Sequence, residues 1–211
     1  MIDSDTRLRA ACGIAKTETK ASEIVFAALK RRGHPDKPPP TISDGWGGID
    51  DAMIAVYGQV PPYSGRGRPP THKQPGEDWQ YLQMVKQREN GRVIGTKLRV
   101  IYGVEADVIQ LLGKSTSYIE RSNLTSRHFN SRLTRKTLAF SKTIEMHQAA
   151  ATLEDGYYNL VRPHKSLRQE INTQSCRWRQ QTPAMASALT DHIWTVKELF
   201  SKIPVPRVSN T

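Results

Sequence analysis

The dipeptide Asn90-Gly91 constrains this chain more than any other feature. A two-residue hairpin turn of the primed type needs positive φ at both central residues, and Asn-Gly tolerates that best. The flanking runs, Tyr81 to Glu89 and Arg92 to Tyr102, have strand length and composition. A β-hairpin is therefore expected across 81–102, and the fold must contain a sheet.

The rest of the chain alternates strand and helix signals. Arg7 to Lys16 follows the turn-forming Asp3-Ser4-Asp5-Thr6 and reads as a strand. From Thr17 to Arg32 the apolar residues Ala21, Ile24, Val25, Ala28 and Leu29 recur at helical spacing, and Arg31, Arg32 and Gly33 supply a stop. After the proline-rich His34 to Pro40, Thr41-Ile42-Ser43 reads as a short strand that delivers Asp44 to its end. Ile49 to Tyr57 has a helical face, whereas Val60 to Gly76 is too rich in Pro and Gly for a regular element. Gly103 to Ser117 reads as a loop with a short helix. Thr116 or Ser117 can cap a long basic helix from Tyr118 to Phe140, followed by helices over Thr143 to Tyr158 and near His192 to Phe200. Together these signals indicate an α/β chain.

Charge narrows the partners. Lys and Arg number 31 against 20 Asp and Glu, a net charge of +11 with a pI near 9.8. Such a surplus attracts polyanions, chiefly nucleic acid or an anionic membrane surface. No apolar stretch approaches the roughly 18 residues of a membrane span, and no signal-peptide pattern opens the chain, so a cytoplasmic, nucleoid-associated protein is expected. Cys12 and Cys176 stand far apart without a CxxC or Cys/His cluster, so neither a zinc site nor a disulfide scaffold is supported, and Cys12 reads as a small core residue.

Two carboxylates are placed where chemistry could use them. Asp44 ends a strand and Glu120 lies near the start of the basic helix. A strand-end Asp and a helix Glu can converge on Mg²⁺ or Mn²⁺, hard cations that take carboxylate oxygens. A pair of such ions activates the attacking oxygen and stabilises the leaving oxygen of a phosphodiester. The spacing alone leaves open a plainer reading, with Asp44 as a turn residue and Glu120 beside Arg121 as a solvated pair. On a helix to Phe140, Glu120, Asn123, Arg127 and Ser131 would share one face. Arg121, Arg127, Arg132, Arg135 and Lys136 are the phosphate-contact candidates on that helix. His164 could orient a phosphate or merely cap a helix. Trp46 and Trp79 could stack on bases or sit in the core, and Gly65 to Pro70 (GRGRPP) could be a minor-groove arm or a solvated linker.

The run Tyr118 to Met146 (YIERSNLTSRHFNSRLTRKTLAFSKTIEM) resembles the block that follows the catalytic Glu in insertion-sequence transposases of the IS-one type. Ser43-Asp44-Gly45-Trp46 is similar to that family's strand-end Asp motif. Tyr157 to Leu167 (YYNLVRPHKSL) is similar to the closing segment of many DDE-type transposases and integrases. The blocks run in family order from Arg7 to Leu167. The resemblance implies an RNase H-like mixed sheet flanked by helices, with an inserted β-hairpin and the long basic helix. It also implies a DDE metal triad and cleavage and strand transfer at DNA ends.

Two family features are missing. No zinc-binding region precedes the domain, and the first catalytic Asp, expected on the first core strand, has no clear counterpart. Asp3 aligns instead with a loop-side Asp, although it stays open as a first ligand. The expectation is thus a truncated catalytic domain over 1–168, with a linker or insert at about 59–103, its first strand missing, and a basic C-terminal tail over 169–211. Asp44 and Glu120 would be its catalytic and metal residues. Asn123, Arg121, Arg127, Arg132, Arg135, Lys136 and His164 would contact DNA, the terminal inverted repeats of the element, with no membrane partner; a homodimer is compatible. The competing functions are a non-catalytic or domesticated nucleic-acid-binding module and a nuclease acting on RNA–DNA hybrids.

Overall fold

A computed structural model describes residues 1–65, 67–112, 117–134, 136–171 and 177–202. The chain forms two compact units, one of Ala11–Glu120 and one that joins Met1–Ala10 to Arg121–Thr211.

In the unit of Ala11–Glu120, helix α1 spans Glu18–Arg32, and Thr17 caps it by accepting the Lys20 amide at 3.3 Å. Strand β1 is Thr41–Asp44, and helix α2 is Gly48–Tyr57. The expected hairpin is present as β2, Tyr81–Glu89, and β3, Arg92–Tyr102. Asn90 and Gly91 turn at φ of 47° and 78°, the positive pair that such a tight turn demands. Helix α3, Glu105–Leu112, packs on both hairpin strands through Val108, which is fully buried.

The sheet has the order β1-β2-β3, with β1 parallel to β2 and β2 antiparallel to β3. The hairpin is part of the same sheet, because β2 is the strand on which β1 pairs. A chain of edge-on rings runs from Phe26 through Tyr57 and Trp79 to Tyr102, with centroids 5.5 to 6.4 Å apart. Trp79 therefore belongs to the core and is withdrawn from base stacking. Two glycines are required by close approach. A Cβ at Gly48 would lie 2.3 Å from the Trp46 ring, and Gly103, at φ +96°, would meet Val108 at 2.7 Å.

Helix α4, Ser117–Phe129, is shorter than its sequence suggests. Asn130 leaves the helical region at φ −120° and ψ 100°, and its side chain accepts the Arg132 amide, starting a separate 3₁₀ turn at Ser131–Leu133. A residue that caps a new turn ends the old helix. Ser131 is thus off the face that carries Glu120, Asn123 and Arg127, and Arg132 and Lys136 stand on irregular backbone rather than on a rigid helix. Arg135, Cys176, Arg66 of the GRGRPP segment and the alternative cap Thr116 lie outside the described residues.

In the unit of Met1–Ala10 and Arg121–Thr211, helix α5 is Ile144–Gly156, capped by Thr143, and continues as a π-helical turn over Tyr157–Val161. A short 3₁₀ turn, Lys165–Leu167, precedes the two-residue strands β4, Gln169–Glu170, and β5, Trp178–Arg179. Helices α6, Pro183–Ala186, and α7, Val196–Lys202, pack on the π turn. The strand expected at Arg7 to Lys16 does not form. Arg7 takes φ 62°, and the stretch offers a single β-bridge among the described residues, Arg9 with Ile2. Arg9's backbone is satisfied by a distant side chain rather than by a strand neighbour. Cys12, in the same irregular stretch, is exposed instead of core.

Candidate functional site

Asp44 closes β1 and is exposed. One of its carboxylate oxygens accepts the Trp46 amide at 3.3 Å, the turn geometry expected of an Asp before Gly. In the parallel register Asp44 stands opposite Met84. Side chains alternate along a strand, so Asp44, Met84 and Lys86 address one face, with Lys86 about 7 Å further along β2. Lys86 holds the carboxylate of Glu120 in a charge-assisted hydrogen bond and ion pair. The two sequence-selected carboxylates thus serve the same sheet face just past the end of β1, Asp44 directly and Glu120 through Lys86.

The other face is different in kind. Tyr81, Gln83 and Ser43 form a hydroxyl–amide cluster, with Ser43 Oγ and Tyr81 OH 2.7 Å apart and Gln83 Nε2 donating to Tyr81 at 3.0 Å. Tyr102 donates its hydroxyl to Asp50, and burial together with that carboxylate pushes the phenol far up. These contacts hold α2 on the sheet and engage the Asp50 carboxylate with Tyr102.

A divalent cation needs several oxygens around one point. Among the described residues no three His, Cys, Asp or Glu side chains gather in that way. Asp44 spends one oxygen on the Trp46 amide and Glu120 is neutralised by an ammonium group. As arranged, this donor set does not fit Mg²⁺ or Mn²⁺.

Asp3 has a local task in the other unit. It accepts the Thr6 hydroxyl and the Asp5 and Thr6 amides. Burial pushes its carboxyl up, but these bonds and Arg7 outweigh that and hold it below the usual range. Both of its carboxylate oxygens already accept hydrogen bonds within this turn.

The cationic candidates divide by surroundings. Arg121, Asn123 and Arg127 on α4 are not buried, and Lys136 is exposed at φ 55°. Arg132 is half-buried and donates to Ser141 at 3.3 Å, and Ser141 meets His147 at 3.2 Å. His164 stacks edge-on against Tyr158, centroids 4.5 Å apart. Its Nε2 is buried with no hydrogen-bond partner among the described residues. Burial, with Arg162 and Arg9 nearby, lowers its pKa to about 4, so it carries no charge for a phosphate at neutral pH.

One cluster had no signal in the sequence. The Arg9 guanidinium, buried in its own unit, donates to Glu154 at 2.7 Å, Asp155 at 3.0 Å, the Ser122 hydroxyl at 2.8 Å and the Ser122 carbonyl at 3.1 Å. It also lies 3.9 Å from the centre of the Tyr158 ring. For Asp155 burial outweighs the attraction of Arg9, and its carboxyl is held above the ordinary range. The adjacent acids of α5 and Asn159 of the π turn were visible as residues, but nothing in their spacing points to a partner some 150 positions earlier.

These features define a mixed α/β protein with one carboxylate, Asp44, at a strand end, a second, Glu120, on helix α4, and cationic side chains along that helix. Residues 101–158 match the family described as IS1 transposase, and this segment is what the chain has in common with that family. The match contains Glu120 and the cationic α4 but not Asp44, Lys86 or His164. No curated protein and no solved structure matches the chain. Among the described residues no helix is long and apolar enough to cross a membrane.

Proposed function

We propose that this chain acts in DNA transposition as the DNA-binding, catalytically incomplete part of an IS1-type transposase with an RNase H-like core. The match over residues 101–158 carries the proposal, because it covers the helix that presents Glu120, Arg121, Asn123 and Arg127. Phosphates bind to Arg121, Arg127 and Lys136, and such bonds hold a duplex in register without reading its sequence. Asp44 and Glu120 are the two family carboxylates. Any Mg²⁺ or Mn²⁺ would require Lys86 to yield Glu120 and a further oxygen donor to approach.

The ion pair between Lys86 and Glu120 favours a second reading, a purely nucleic-acid-binding module in which Lys86 permanently replaces the metal charge. One experiment separates them. The purified chain is incubated with supercoiled plasmid and with a linear duplex, in Mg²⁺ and in Mn²⁺. Salt-sensitive binding without nicking supports the proposal. Restored nicking when Lys86→Gln is combined with a supplied upstream Asp-bearing segment favours the incomplete transposase, and continued inactivity favours the module. Absence of DNA binding at low salt overturns both.

A further inference from the structure

The β2–β3 hairpin reaches beyond its sheet. β1 pairs only with Tyr81 to Met84, so from Val85 to the Asn90-Gly91 turn β2 has β3 as its sole strand neighbour among the described residues. Five residues at about 3.3 Å each make a free ribbon roughly 17 Å long. The ribbon carries Lys86, Arg88, Arg92 and Lys97 against the single acid Glu89. Lys86 is engaged by Glu120, whereas Arg88, Arg92 and Lys97 form no ion pair among the described residues.

The ladder is also irregular where the ribbon is freest. Gln87 pairs with Gly95 but Arg88 pairs with Val93, which leaves Ile94 as an extra, unpaired residue. A bulge bends its strand and re-aims the side chain it carries. Here the side chain turned outward is apolar. Ile94 is 64% exposed and Val93 beside it 52% exposed, and cations flank them on both strands. A second copy of so basic a ribbon would be repelled, whereas a polyanion would be drawn to it.

The geometry points to this ribbon as a DNA-bending arm. Arg88, Arg92 and Lys97 hold phosphates on the two walls of the minor groove while Ile94 wedges between base pairs, a combination that unstacks a step and kinks the duplex. The inference rests on the DNA-binding reading above and adds the element, the groove and the deformation.

The test uses the full chain and a linear duplex with donor and acceptor fluorophores at its ends. Binding of the native chain should raise energy transfer as the ends approach. Ile94→Ser should bind with an unchanged salt slope but leave the duplex straight, and Ile94→Phe should bend it. Replacing Arg88, Arg92 and Lys97 with Ala should lower the slope of log affinity against log salt by about 0.9 for each phosphate no longer neutralised. Bending by Ile94→Ser equal to that of the native chain, or native binding without bending, overturns the arm and leaves the DNA-binding reading intact. Failure of the native chain to bind any duplex overturns both. If Ile94→Ser instead converts a dimer to a monomer in solution and leaves bending unchanged, the tip is a self-association surface and the arm is refuted.

Discussion

Asn159 holds Arg9 by both of its backbone groups. Its side-chain oxygen accepts the Arg9 amide at 3.0 Å and its side-chain nitrogen donates to the Arg9 carbonyl at 3.0 Å. One residue of the π turn therefore does what a neighbouring strand would do, and the Arg9 side chain is free to enter the cluster with Ser122, Glu154 and Asp155. Arg9→Met should cost about 3 to 5 kcal/mol, since it leaves buried carboxylates without their cation. Asn159→Ala should cost about 1 to 3 kcal/mol through two unsatisfied backbone groups. Urea unfolding measures both, and losses under about 1 kcal/mol would mean that water already satisfies the cluster.

His164 gives a dependence on acid. Its folded pKa, about 4, lies below the 6.5 of a free imidazole, so between these values the unfolded chain binds the proton more readily. Its contribution to stability is present above about pH 6.5 and fades as pH falls towards 4. The native chain should lose melting temperature across this window relative to His164→Phe. Parallel curves would place the imidazole in water.

Two glycines should resist substitution for different reasons. Gly103→Ala meets both a positive φ and the Val108 side chain, while Gly48→Ala drives a methyl into Trp46. Each should cost about 1 to 3 kcal/mol. Gly47→Ala, with nothing within 4 Å and an ordinary helical φ, is the matched control.

Lys86→Gln should change stability by less than about 1 kcal/mol, because the pair with Glu120 is half exposed and screened. A larger loss in thermal unfolding would show that the pair holds the start of α4 in place. For DNA, Arg127→Ala should reduce the salt slope by about 0.9, the release expected of one phosphate contact. Arg132→Ala should reduce it less, since that guanidinium is tied to Ser141.

Local chemistry decided what could be read from the residues alone. Asn90-Gly91 specified a hairpin because the turn's dihedral needs are met within two residues, and Thr17 and Thr143 marked helix starts because a cap acts over one turn. Asp44 fell at a strand end for the same reason. Where partners are remote the reading failed. Arg7 to Lys16 has strand composition, but Arg9 within it is claimed by Asn159. The basic run after Ser117 has helical composition throughout, yet the single side chain of Asn130 stops it. Lys86 attracted no notice because its importance depends on a register, not on its neighbours in sequence.

The connection between Arg9 and α5 also orders events during synthesis. Glu154 and Asn159 follow Arg9 by 145 and 150 positions. At about 5 to 20 residues per second, a ribosome takes roughly 7 to 30 s to supply them. Ala11–Glu120, a unit by its own contacts, emerges within that interval and can fold. The first ten residues must wait, their arginine hydrated and their backbone bonded to water. Residues made well before their partners are thus among the last to find their place, and a nascent-chain protease should cut them long after the hairpin has become resistant.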